Sequence, residues 1–144
     1  MSMNHSRQVA AARLAAAHAA RATADLSRAY VGETSSAASA EDRIRAARRM
    51  RVLSLQVLDW TIRAEFLNGA SWEELAEYTG RRDVNALREQ YEAGTLQWVE
   101  ELPESTQEEA ETAGALDEWY RRHAEELLDP AHDSPVGGLF IPPQ

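Results

Sequence analysis

An all-α fold is predicted for this chain, and three observations carry the prediction. Apolar residues recur at helical spacing along most of its length. Gly and Pro interrupt that pattern at only a few places. Alanine, the best helix former, crowds the first third. About five helices are expected, packed around a central helix that is apolar on two opposite faces, with a helical hairpin after it and an irregular tail. The 144 residues suffice for one helical domain over residues 1–130, with the hairpin at residues 69–93, and a Pro/Gly-rich tail at residues 131–144.

The first helix is expected over residues 6–30, where no Gly or Pro falls and where Val9, Leu14, Leu26 and Tyr30 are the few large apolar side chains. An alanine-coated helix lets a neighbour approach closely but buries little on its own. Its predicted role is therefore packing or dimerisation. Small hydroxylated residues around Ser35 and Ser39 break the pattern, and Ser39 with Asp42 can cap the next helix. That second helix spans residues 40–67. Leu53, Val57, Trp60, Ala64 and Leu67 form one apolar stripe, and Leu55, Leu58, Ile62 and Phe66 form the opposite one. A helix apolar on two faces must be sandwiched.

Asn68 and Gly69 can end it in a left-handed turn. Ser71 followed by Glu74 is the text of a capping box, and the short helix it opens stops at Thr79 and Gly80. A further helix is expected over residues 83–93, with Val84, Leu87 and Tyr91 on one face and Gly94 as its stop. Leu96, Trp98, Val99 and Leu102 make an apolar patch before Pro103. The last helix is expected to start near Ser105 and to end at Asp129 and Pro130, with Ala113, Leu116, Trp119, Tyr120, His123 and Leu127 at helical spacing. The four tryptophans are expected in or near the core.

Charge is unevenly spread over a net −9. Residues 1–63 carry +5, residues 64–98 carry −4 and residues 99–144 carry −10. All 15 basic residues are arginine. There is no cysteine, which excludes disulfides, thiolate metal sites and cysteine nucleophiles. No apolar run approaches the roughly 20 residues of a membrane span. No signal peptide is visible in the first residues, so a cytoplasmic protein is expected.

The segment Gly69-Ala70-Ser71-Trp72-Glu73-Glu74-Leu75-Ala76-Glu77-Tyr78-Thr79-Gly80 carries the most specific text in the chain. It resembles the opening of the helix-turn-helix modules of small bacterial regulators, whose pattern reads roughly Gly-x-Ser/Thr-Trp-x-Glu-Ile-Ala-x-x-Leu-Gly. Ser71 caps, Leu75 packs inward, Ala76 is small where the second helix crosses, and Gly80 takes the turn at positive φ. Three departures stand after that. Thr79 occupies the place of the usual Leu, Arg81 that of an apolar residue, and the step from Gly80 to Tyr91 is one residue longer.

The resemblance implies that the second helix lies in a major groove of DNA. Arg81, Arg82, Asn85 and Arg88 are then the implied contacts, since Arg pairs with guanine or phosphate and Asn with adenine. Arg48 and Arg49, with Arg43, Arg45 and Arg51, form a second basic cluster within reach of phosphates. Asp83, Glu89 and Glu92 on the same helix oppose such contact, so a hairpin that merely completes a core is the other reading.

Two functions follow. One is a small DNA-contacting regulator, homodimeric through the alanine-rich helix. The other is an interaction module that binds a protein partner through its acidic C-terminal region and tail, with no nucleic acid involved. The apolar tail text Leu139-Phe140-Ile141 either docks on the chain's own surface or offers itself to a partner's groove. An enzyme is not expected. No phosphate-cradling loop, zinc-binding text or nucleophile elbow occurs, His5, His18, His123 and His132 share no ligand spacing, and no cofactor or metal is called for. His123 lies on the apolar stripe of the last helix and is expected to pack there, partly buried.

Overall fold

The computed structural model describes residues 3–35, 37–123 and 134–140. They form five α-helices and one short 3₁₀ turn: α1 (Met3–Glu33), α2 (Ala40–Leu67), α3 (Trp72–Thr79), α4 (Val84–Glu101), α5 (Gln107–His123) and the turn Gly137–Phe140. No strand occurs among the described residues. The fold is all-α with a central two-faced helix.

α1 and α2 lie antiparallel along one another. The loop between them is short, and Ser39 accepts the backbone N–H of Asp42 at 3.1 Å to cap α2. Near the other end, Val9 and Ala12 share a cluster with Ala64 and Leu67, and Arg13 pairs with Glu65. Small side chains make this seam tight, because the distance between two helices is set by what projects between them. α2 ends where Gly69 turns at φ 101°; Asn68 itself keeps a negative φ.

Two clusters flank α2. Ile62 meets Trp72, Leu75, Ala76, Leu87 and Tyr91 on the side of α3 and α4. On the other side Trp60 joins Ala64 and Leu67 against α1, with Trp98 and Val99 of α4 closing the cluster. The sandwich is complete only in this C-terminal part of α2. Leu55 and Leu58 of the outer stripe stay 49% and 46% exposed. Between Ala19 and Leu53 no described residue is buried, so the far half of the α1–α2 pair is a two-helix arm without a third layer.

α4 corrects the expected stop at Gly94: the helix runs through that glycine to Glu101. A glycine inside a helix costs only about 1 kcal/mol. The turns that follow it bury Thr95 and bring Trp98 edge-on to Trp60, centroids 5.0 Å apart. The expected apolar patch before Pro103 is this extension. Its end is set by Leu102, which is extended as a residue before proline must be. α5 is capped by Thr106, whose hydroxyl accepts the Glu109 N–H at 3.2 Å, one residue later than expected. The expected end of α5 at Asp129 and Pro130 lies outside the described residues. Trp72 is buried, and Trp60, Trp98 and Trp119 are half-buried.

The alanine-rich helix, expected to pack or to dimerise, packs within the chain. Leu14 packs with Ala113 and Leu116 of α5 and with Val136 of the tail. The described part of the tail docks on its own chain through Asp117. That buried carboxylate accepts the backbone N–H groups of Val136 at 2.8 Å and Gly137 at 2.7 Å, capping the 3₁₀ turn. Ile141 lies outside the described residues.

A Cβ on Gly137 would collide with the Asp117 carboxylate that holds the tail. Gly137→Ala should therefore release the tail with the helices intact, read as lost amide protection over residues 136–139. Asp117→Ala should cost about 1–3 kcal/mol in thermal or denaturant unfolding, because two N–H groups lose a charged acceptor.

Candidate nucleic-acid interface

The α3–α4 hairpin is built by local chemistry. Ser71 Oγ accepts the Glu74 N–H at 3.1 Å, and Glu74 accepts the Ser71 N–H at 3.2 Å. Donation from the Ser71 backbone N–H first, and then from the Ser71 side chain, holds the Glu74 carboxyl below the usual carboxylate range. Gly80 turns at φ 70°, and the Arg81 N–H returns to Ala76 O at 2.9 Å, a Schellman-type closure. Thr79, in the place of the usual Leu, bonds back to Leu75 O at 2.8 Å instead of packing. Asp83 then caps α4 by accepting the Ala86 N–H at 3.0 Å.

Register along α4 sorts its side chains. Leu87 and Tyr91 are buried and Val84 packs against the same cluster, so Asn85, Arg88 and Glu89 face outward. Asn85, Arg88, Glu89, Glu92 and Ala93 line one shallow depression. Arg88 Nε donates to Glu92 Oε2 at 2.9 Å, and that same oxygen accepts Trp72 Nε1 at 2.9 Å. Arg81 donates to Gln90 Oε1 at 2.5 Å. Arg82 is exposed and has no side-chain partner among the described residues.

The structure brings Arg81, Arg82, Asn85 and Arg88 to one end of α4 and leaves Arg48 and Arg49 elsewhere. Those two are exposed on the N-terminal half of α2, beside Ile44, Arg45, Arg51 and Val52. Arg48 precedes Ile62, where α4 packs, by 14 residues. That is about 21 Å along the helix axis.

Sequence reasoning missed the contact that seats α4 on α2. Tyr91 donates its hydroxyl to Asp59 Oδ1 at 2.5 Å. Burial first, and then the Asp59 carboxylate, push the tyrosine up to about 12, against lesser opposing pulls from Arg81 and Arg63. Asp59 stands in a polar lane of α2, and a partner 32 positions away leaves no local signal. Beside it Arg63 lies over the Trp60 ring, 4.7 Å from its centroid. His123, expected to pack, is exposed; its Nδ1 bonds to Trp119 O at 2.8 Å and its ring leans on that indole. The helical repeat places it on the stripe, but among the described residues the side chain it meets is Trp119, one turn earlier.

No group of three His, Asp or Glu side chains that could hold a metal ion occurs among the described residues, and no described helix is long and apolar enough to cross a membrane. Compared with protein-family models, with curated proteins and with solved structures, the chain finds no match in any of the three.

Two outcomes test the hairpin's construction. Gly80→Ala should destabilise the chain by about 1–2 kcal/mol, the cost of a Cβ in the left-handed region. In an alkaline titration followed by tyrosinate absorbance, one tyrosine should ionise near pH 12, and Tyr91→Phe should remove that step. The proton leaves the unfolded chain near 10 and the folded chain near 12. The Tyr91 contribution to stability is thus whole below about pH 10 and declines from there to about pH 12.

Proposed function

We propose that this chain is a small cytoplasmic regulatory protein of helix-turn-helix type that contacts duplex DNA with the N-terminal end of α4. The observation that carries the reading is the hairpin itself: a capped α3, a left-handed Gly80, and a second helix whose buried Leu87 and Tyr91 turn Asn85 and Arg88 outward beside the free Arg82.

In this reading Arg82 meets phosphate, while Asn85 and Arg88 reach base edges, adenine and guanine being their preferred partners. Arg88 must leave Glu92 to do so. A surface ion pair is worth only about 0–1 kcal/mol, so little holds Arg88 back, and a bidentate contact to guanine discriminates against other bases by about 1–3 kcal/mol. Glu89 is suited to accept from the exocyclic amine of cytosine. Arg81 loses only its bond to Gln90 on turning to the backbone. The chain's overall −9 repels DNA at long range, but screening confines that repulsion to about 8 Å at physiological salt. A homodimer would present two such helices to two half-sites. Arg48 and Arg49 would meet phosphates only where the duplex runs on along α2.

Binding of a labelled duplex pool, measured by anisotropy against salt, tests this. Two arginine–phosphate contacts, from Arg81 and Arg82, predict a log–log slope of about −2. Arg82→Ala should weaken binding severalfold and flatten the slope by about 1, Arg88→Ala should weaken binding severalfold and relax base preference, and Arg28→Ala, on α1, should do neither. No binding at low salt would leave the hairpin a packing device and return the chain to the class of acidic protein-interaction modules.

A further inference from the structure

The outer stripe of α2 changes its character along the helix. At Ile62 and Phe66 it is covered by α3 and α4. The same face continues toward the N-terminus uncovered: Leu58, Leu55, Val52 and Ile44 are 46%, 49%, 46% and 62% exposed. From Ile44 to Leu58 this stretch measures about 21 Å by helical rise. Arg48 and Arg51 fall among these aliphatics, with Arg45 and Arg49 along one border. Arg45 pairs with Glu41 of its own helix. Arg48, Arg49 and Arg51 have no acidic partner among the described residues. No acidic residue occurs from Arg43 to Leu58.

We infer that this stretch of α2 is an interaction surface for an acidic amphipathic helix of a partner protein. Continuity supplies the shape: a helix laid along the bare stripe extends the helix-on-helix cover that α3 and α4 already provide at its end. Charge supplies the sign. Arginine stems lie along apolar surface while their heads reach outward, so a partner with leucine-type anchors flanked by carboxylates satisfies both at once. Two other occupants fit less well. A polyphosphate backbone answers the arginines but gives the four aliphatics nothing apolar to meet. A second copy joined through the same face sets one arginine block against the other. The inference does not rest on DNA contact by the hairpin, whose helices cover this face only from Ile62 onward, about 21 Å beyond Arg48.

The test uses the full chain and a synthetic acidic helical peptide with leucines at every third and fourth position and glutamates beside them. Its comparators are a peptide of the same composition with the leucines shuffled and a DNA duplex. The patterned peptide should bind about tenfold tighter than the shuffled one. The pairs Leu55→Ser/Leu58→Ser and Arg48→Glu/Arg51→Glu should each weaken it by about tenfold or more, as loss of central anchors does. Arg82→Ala should leave it unchanged. These sites are exposed, so circular dichroism and the thermal midpoint of each variant should match the parent, and a variant that unfolds is replaced by Leu55→Gln alone. Any of four results would overturn the inference: no binding at the highest soluble peptide concentration, equal binding of the shuffled peptide, displacement of the peptide by DNA that depends on Arg48 and Arg51, or a dimer in sedimentation that Leu55→Ser/Leu58→Ser dissolves.

Discussion

Ala12 and Ala64 sit at the α1–α2 seam with 0% and 2% of their surface exposed, and the rest of the chain is arranged around that closeness. Only methyl-sized side chains let two helices run so near each other. With the seam closed, Val9 and Leu67 fall into one cluster, and Trp60 and Trp98 are drawn over its rim. α4 then has to extend far enough to deliver Trp98, which is why a glycine in its middle does not end it. A bulkier residue at either alanine would force the helices apart, and overpacking of a tight core typically costs about 1–3 kcal/mol.

Much of the frame was legible from local chemistry. The bounds of α2, the caps at Ser39 and Ser71 and the turn at Gly80 depend on neighbours within four residues, and the text of the chain contains them. What was not legible depends on distance along the chain. Gly94 reads as a stop because propensity is local, whereas the packing that overrides it joins Trp98 to Trp60. The bonds from Tyr91 to Asp59 and from the tail to Asp117 span 32, 19 and 20 positions. The two apolar faces of α2 stand in its text as two stripes. Periodicity cannot tell whether a chain has enough other helices to cover both, and this one covers the outer face only at one end. Likewise the text shows two basic clusters without saying whether they share a face, and the rise of α2 sets Arg48 about 21 Å from Ile62, where the hairpin packs.

The uneven charge finds only limited use inside the fold. Arg7 forks onto both oxygens of Glu109 at 2.5 and 2.8 Å and onto Pro103 O at 2.9 Å, tying the N-terminus of α1 to the start of α5. This bidentate, largely covered pair is the kind that holds geometry well. The other pairs are more exposed and contribute little each. Most of the positive charge of α2 and most of the negative charge of α5 therefore remain on separate surfaces of the same molecule.

Glu92 holds two donors on one oxygen, the guanidinium of Arg88 and the indole N–H of Trp72. An indole's emission follows the polarity and hydrogen bonding around its nitrogen. Whatever draws Arg88 outward leaves the carboxylate to the tryptophan alone and changes that environment. The hairpin thus carries its own optical gauge, a buried fluorophore wired through one shared oxygen to an exposed arginine.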